Sequence, residues 1–164
     1  MSSTSPAARP PVVGGGPPSP PCDLVLDASV AIKWYIPEIL AAEARAFMSP
    51  RFRMHVPSLF AVECANTLWK KVAQRHELDS ARGREILEEL LAYPMQVHQS
   101  EGLVIVAYDL AHRVGAPKLA VYDFVYLALA VALDCRLATA DRLFYDAIQP
   151  TPLATQLLWV ADPI

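Results

Sequence analysis

The sequence predicts an α/β fold around a mostly parallel sheet, and three observations carry the prediction. Short apolar runs alternate with stretches of helical period along the chain. The runs are continuous rather than alternating, as in strands buried on both faces. The segment from Phe124 to Leu133 holds ten consecutive apolar or aromatic residues. That is long enough for a helix buried on all sides and too short to cross a bilayer. No internal repeat is present.

Taken in order, Leu24-Val25-Leu26 is a first, central strand ending at Asp27. Ala28 to Trp34 follows as a short helix stopped by Pro37, and Glu38 to Met48 carries helix formers up to Ser49-Pro50. Met54-His55-Val56 is a second strand. Pro57-Ser58 then opens a helix running to about Gln74, with Ser58 as its cap and Ala61, Ala65, Leu68 and Val72 as its apolar face. Asp79 or Ser80 caps the next helix, whose stripe is Ile86, Leu87, Leu90 and Leu91. Met95 to His98 is a third strand. Ser100 caps a helix over Glu101 to Arg113, which Gly115 ends. The apolar helix spans Lys118 to Leu133. Arg136 to Thr139 is a strand leading to Asp141, Arg142 to Ile148 a short helix, and Leu157 to Val160 a last strand.

Composition narrows the function. The 164 residues suit one domain, and 54 % hydrophobic residues with 19 % charged can fill a sizeable core. A net charge of -3 argues against a globally basic nucleic-acid binder while allowing a local basic patch. Three cysteines without C-x-x-C spacing read as reduced thiols of a cytoplasmic protein. The four histidines lie far apart and make no zinc pattern. Residues 1–21, with seven prolines and a triple glycine, read as a disordered or polyproline-like tail. They contain no apolar core of a signal peptide. The folded domain is expected over residues 22–164.

Four acids stand out against this frame. Asp27 and Asp141 follow strands, and ligands of parallel sheets bind beyond the carboxyl ends of strands. Glu63 lies inside a helix, and Asp123 stands at the head of the apolar helix, where a carboxylate also suits the positive end of the dipole. Crowded carboxylates repel one another, and a hard divalent cation relieves that cost.

The segments Leu26-Asp27-Ala28-Ser29-Val30, Val62-Glu63-Cys64-Ala65-Asn66, Tyr122-Asp123-Phe124-Val125-Tyr126-Leu127-Ala128-Leu129-Ala130 and Ala138-Thr139-Ala140-Asp141-Arg142 together resemble the PIN-domain nucleases. The resemblance is strongest to the VapC-type toxins of toxin–antitoxin pairs. It implies a three-layer α/β/α PIN-like fold and a ribonuclease dependent on Mg²⁺ or Mn²⁺. Asp27, Glu63 and Asp123 would be the principal metal-binding and catalytic acids, with Asp141 the more variable fourth. It also implies an RNA substrate, a small antitoxin partner, a homodimer and no membrane association. Ala120 departs from the pattern, since a hydroxyl residue is common there, and this puts the start of the helix in question.

Supporting roles fall to Ser29 and Thr139, whose hydroxyls could bond a ligand carboxylate or the phosphate, and to Asn66, which could orient Glu63 from one turn away. The alternatives are a helix cap for Ser29, an ordinary strand position for Thr139 and a surface amide for Asn66. Lys70, Lys71, Arg75, Arg82 and Arg84 form a basic cluster at the junction of two helices, and Lys33, Arg51, Arg53, Lys118 and Arg142 are scattered nearer the acids. The bases on the Glu63 helix could line an RNA groove, the alternative being a solvated basic face. Cys64 reads as a small buried residue. Competing readings are a degenerate module that binds RNA or protein without cutting, an aspartyl-phosphate phosphatase, and a receiver domain. The phosphatase normally carries D-x-D where this chain has Asp27-Ala28-Ser29, and the paired acids and later lysine of a receiver are missing.

Overall fold

A computed structural model describes residues 20–164. The tail expected over residues 1–21 lies almost wholly outside them. Five strands form one parallel sheet: β1 (Cys22–Leu26), β2 (Phe52–Pro57), β3 (Gln96–His98), β4 (Arg136–Thr139) and β5 (Leu157–Trp159), in the order β3-β2-β1-β4-β5. β1 is central, pairing Val25 with His55 on one side and with Leu137 on the other. Successive strand residues point to opposite faces. Leu24, Val25 and Leu26 are all at most 2 % exposed, so both faces of the sheet are covered. This is the three-layer α/β/α arrangement that the family resemblance implies, and it fits the continuous apolar runs of strands buried on both faces.

The helices are α1 (Ala28–Ile32), α2 (Ala41–Ala46), α3 (Phe60–Ala73), α4 (Ser80–Ala92), α5 (Val104–Val114), α6 (Val121–Ala132) and α7 (Arg142–Ile148). α6 packs across β1, β2 and β4, with α5 against it, while α3 packs on α4 and α1. Every residue from Phe124 to Ala130 is buried, and the Phe124 ring meets Phe144 edge-on at 5.3 Å. Burial of each large side chain there stabilises the fold by about 1.5–3 kcal/mol. The apolar character continues past Ala130, but Val131 is 40 % exposed as the helix leaves the core.

Several local expectations are corrected. α2 starts at Ala41 rather than Glu38, because Leu40 takes a left-handed conformation with φ 68° that breaks any helix reaching back to Glu38. Ser58 does not cap α3. Its hydroxyl meets that of Ser100 at 3.0 Å, and Ser100 Oγ accepts from Leu59 N instead of capping the following helix. The two serines thus tie the β2 and β3 exits together. The buried face of α3 is Phe60, Cys64, Leu68 and Lys71; Leu68 is buried as expected, while Ala61, Ala65 and Val72 are half-buried and the residue before each is buried instead. In α4, Ile86 and Leu90 are buried as expected, but Leu91 is 54 % exposed. Asp79 caps α4 through Arg82 N, and Gly115 ends α5 with φ 66°, both as the sequence predicts.

Candidate active site

The strand order reverses between β1 and β4: the chain builds outward from β1 to β2 and β3, then returns to add β4 and β5 on the other side. Such a switch point opens a crevice at the carboxyl ends of the two strands. Asp27 stands at the exit of β1 and Asp141 just beyond β4. Glu63 from α3 and Asp123 from α6 border the same cavity, of about 430 Å³. The four acids, distant in sequence, therefore face one space.

Each carboxylate is held by its own neighbours. Asp27 caps α1, with Oδ1 accepting from Ser29 N at 3.0 Å, while Thr139 Oγ1 donates to Oδ2 at 2.6 Å. The same Thr139 oxygen accepts from Asp141 N at 3.1 Å, so one hydroxyl on β4 joins both strand-exit acids. Asp141 Oδ1 caps α7 through Phe144 N at 3.0 Å. Asp123 Oδ2 accepts from Ala120 N at 3.1 Å. α6 therefore starts at Val121 with no side-chain cap from Ala120, and the reaching-back carboxylate serves instead. Tyr126 O–H donates to Glu63 Oε2 at 2.6 Å, from a ring that is 1 % exposed. Glu63, Asp123 and Asp141 each keep one oxygen without a hydrogen-bond partner among the described residues.

The electrostatics reflect the crowding. Burial, with the charges of Asp27, Asp123 and Asp141 adding to it, pushes Glu63 up to about 7 against the opposing hydrogen bond from Tyr126. Burial and the charges of Asp27 and Asp141 push Asp123 up to about 7 against the Ala120 N–H. Asp27, at the exit of β1, is raised above the ordinary carboxylate range by burial, with Thr139 and Ser29 pulling the other way. Carboxyl groups that hold protons near neutrality mark a place where negative charge is under strain. Among the described residues, no three His, Cys, Asp or Glu side chains are drawn together into a ready-made metal cage. The acids ring the cavity instead, each turned toward its own hydrogen-bond partner.

The supporting residues divide. Thr139 is fully buried and bonds Asp27 directly, as one of its two expected roles requires. Ser29 is not a helix cap, since Asp27 occupies that position; its Oγ accepts from Ala140 N at 3.0 Å and fastens the β4 exit to α1. Asn66 is exposed, makes no hydrogen bond to Glu63 and borders an adjoining cavity. The residue that orients Glu63 is Tyr126, three positions after Asp123 on α6. Its tyrosine-for-core composition hid it in the sequence, although a phenol inside an apolar helix needs a polar partner and thereby signals one. Cys64 is buried, and burial holds its thiol well above the ordinary range.

The basic residues also divide. Lys71 lines the acidic cavity but is buried there with its charge already met: its Nζ bonds Glu38 at 3.1 Å and Glu77 at 2.7 Å. Lys33 bonds Glu38 at 3.0 Å at the cavity wall. Arg82 and Arg84 are engaged by Glu85 and Glu88 on α4. Arg75 and Lys118 reach the cavity, and Lys118 has no ion pair among the described residues. No helix among the described residues is long and apolar enough to cross a membrane.

The family model of the PIN domain matches residues 24–148, a span that contains all four acids. Ribonuclease VapC3 of Pyrobaculum aerophilum is 36 % identical over 121 residues, covering 73 % of this chain and 89 % of that protein. Ribonuclease VapC9 of Mycobacterium tuberculosis is 32 % identical over 126 residues, covering 77 % and 91 %. Among solved structures, PAE2754 from Pyrobaculum aerophilum aligns with a TM-score of 0.62 at 20 % identity, covering 85 % of this chain and 84 % of that one. VapBC2 from Rickettsia felis, bound to a promoter DNA fragment, aligns with a TM-score of 0.56 at 11 % identity, covering 84 % and 98 %. These two likenesses speak to the fold. The family-model match over most of the chain and the relatives at 36 % and 32 % identity place this chain in the PIN domain family, among its VapC-type members.

Proposed function

We propose that this chain is an endoribonuclease toxin that hydrolyses RNA phosphodiester bonds with the help of Mg²⁺ or Mn²⁺. The observation that carries the proposal is the convergence of Asp27, Glu63, Asp123 and Asp141 on one cavity at the switch point of the sheet. The donor set fits such an ion. All four are hard oxygen donors, and Mg²⁺ keeps several of its waters and binds through one or two carboxylates, so a ring of acids serves where a tight cage is not formed. When bound, the ion supplies neutralisation of phosphate charge and a more acidic water.

The chain's own residues supply the rest. Thr139 fixes Asp27 and the backbone of Asp141 together, so the two strand-exit acids hold their places relative to each other. Tyr126 fixes one oxygen of Glu63 and leaves the other for the cavity. Glu63 and Asp123, held near 7 while the cavity holds no cation, would give up their protons as a divalent ion enters. Lys118 and Arg75 at the cavity edge draw in the polyanion that the acids alone would repel.

A small antitoxin, whose basic side chain would enter the anionic cavity, and a homodimer are proposed with the same reading. The test is RNA cleavage by the purified chain with Mg²⁺ and with chelator, beside Asp27→Asn. Cleavage that needs both the ion and Asp27 supports the reading. Equal cleavage by Asp27→Asn rejects it, and no cleavage by the wild type under any divalent ion favours the module that binds without cutting.

A further inference from the structure

A second cavity, of about 440 Å³, lies against the acidic one, and the two share Glu63, Thr67 and Tyr122 as walls. Its other walls are Leu59, Val62, Asn66 and Lys70. Resting on the nuclease reading, we infer that this cavity is a nucleotide subsite. It would take the base next to the scissile phosphate of a single-stranded RNA, with Tyr122 as the stacking surface and Asn66 reading the base edge.

The argument is one of chemistry and position. Tyr122 follows directly before Asp123 on α6, is 54 % exposed, and borders both cavities. A phosphate held at the acids therefore places its neighbouring base at the height of this ring. Aromatic side chains bind bases through their faces, tolerating any base. Val62, 72 % exposed, offers an apolar floor beside it. Asn66 carries both a donor and an acceptor, the pair that matches a base edge. It lies exposed one turn after Glu63 and makes no hydrogen bond among the described side chains. Lys70, a further turn along α3 and without an ion pair among the described residues, stands where the next phosphate would lie. The order along α3 is thus acid, amide, cation, spaced three and four residues apart on one stripe. A folded duplex keeps its bases stacked on each other, so the cavity selects unpaired RNA.

The test uses the full chain carrying Asp27→Asn, with fluorescence anisotropy of a labelled single-stranded RNA oligonucleotide as the readout. Adding Tyr122→Ala is expected to weaken binding about 5- to 150-fold, the range for loss of one base stack, and Tyr122→Phe to restore it. In the Asp27-containing protein, Asn66→Ala is expected to broaden the bases found at the cleaved ends without abolishing cleavage. Unchanged affinity in Tyr122→Ala overturns the inference even where the wild type cuts RNA. So does RNA binding that is absent in the Asp27→Asn protein. A change of oligomeric mass in Tyr122→Ala also overturns it, because the cavity would then be covered by a second copy of the chain. Tight, Tyr122-dependent binding by a chain that never cuts upholds the subsite while rejecting the nuclease.

Discussion

Replacing Glu63 by glutamine is predicted to stabilise the cation-free protein above neutral pH. In the folded chain, burial and three neighbouring carboxylates raise Glu63 from 4.5 to about 7. The folded state thus holds a proton that the unfolded chain releases near 4.5, and folding grows costlier as pH rises between these values. The cost is fully developed above 7 and fades as pH falls toward 4.5. At full value a rise of this size is worth roughly 3 kcal/mol. Glu63 remains partly solvated, so about 1–2 kcal/mol survives screening. The Glu63→Gln substitution keeps the shape, offers Tyr126 an amide oxygen and removes the charge. Thermal melts in chelator at pH 8 should show the variant melting about 2–8 °C above the wild type. At pH 5 the gap should shrink to about a quarter of that. A variant equal to or less stable than wild type at pH 8 would refute the claim that the Glu63 charge is strained by burial and its acidic neighbours.

Three further outcomes follow from the geometry. Tyr126→Phe keeps the buried ring and deletes the only hydrogen bond found to oppose the rise of Glu63. The acid limb of any pH–activity profile should therefore move to higher pH, with about 1–2 kcal/mol of stability lost in denaturant titrations. Thr139→Val removes the donor to Asp27 and the acceptor for Asp141 N at a fully buried position. It should cost about 1–3 kcal/mol in urea unfolding and lower kcat with little change of KM. Gly83→Ala would bring a Cβ to 2.8 Å from Val72 Cγ2, where α4 crosses α3. The stiff β-branched neighbour should make overpacking, about 1–3 kcal/mol, outweigh the helix-propensity gain of about 1 kcal/mol, so the melting temperature should fall.

What could be read from the residues, and what could not, has a physical pattern. Asp27 and Asp141 are legible because an acid one or two residues past a buried strand sits at the ligand-binding rim of a parallel sheet. The strand and helix sequence was legible for the same reason, since burial on both faces leaves an unbroken apolar run such as Leu24 to Leu26. The face of α3 is centred on Leu68 as expected, but its other buried positions each lie one residue earlier than the apolar pattern suggests. Lys71 looks like surface, yet it is buried and its charge is met by Glu77 just past the helix and by Glu38, a contact made far along the chain. Ser58 and Ser100 both look like helix caps, but a tertiary contact between them takes their hydroxyls. Asn66 and Tyr126 exchanged parts for a similar reason. Spacing on one helix suggested the amide as the partner of Glu63, while the partner came from α6, where only the packing of two helices could place it.

The most direct test of the central claim is a titration of Mn²⁺ onto the purified chain, with the free ion followed by electron paramagnetic resonance. The wild type is expected to bind one or two ions per chain. Asp27→Asn and Asp123→Asn should each weaken that binding about tenfold or more, the loss of a charge-assisted contact worth more than about 1.4 kcal/mol. Binding untouched by either substitution, or no binding by the wild type, would contradict the assignment of these acids to a single cation site.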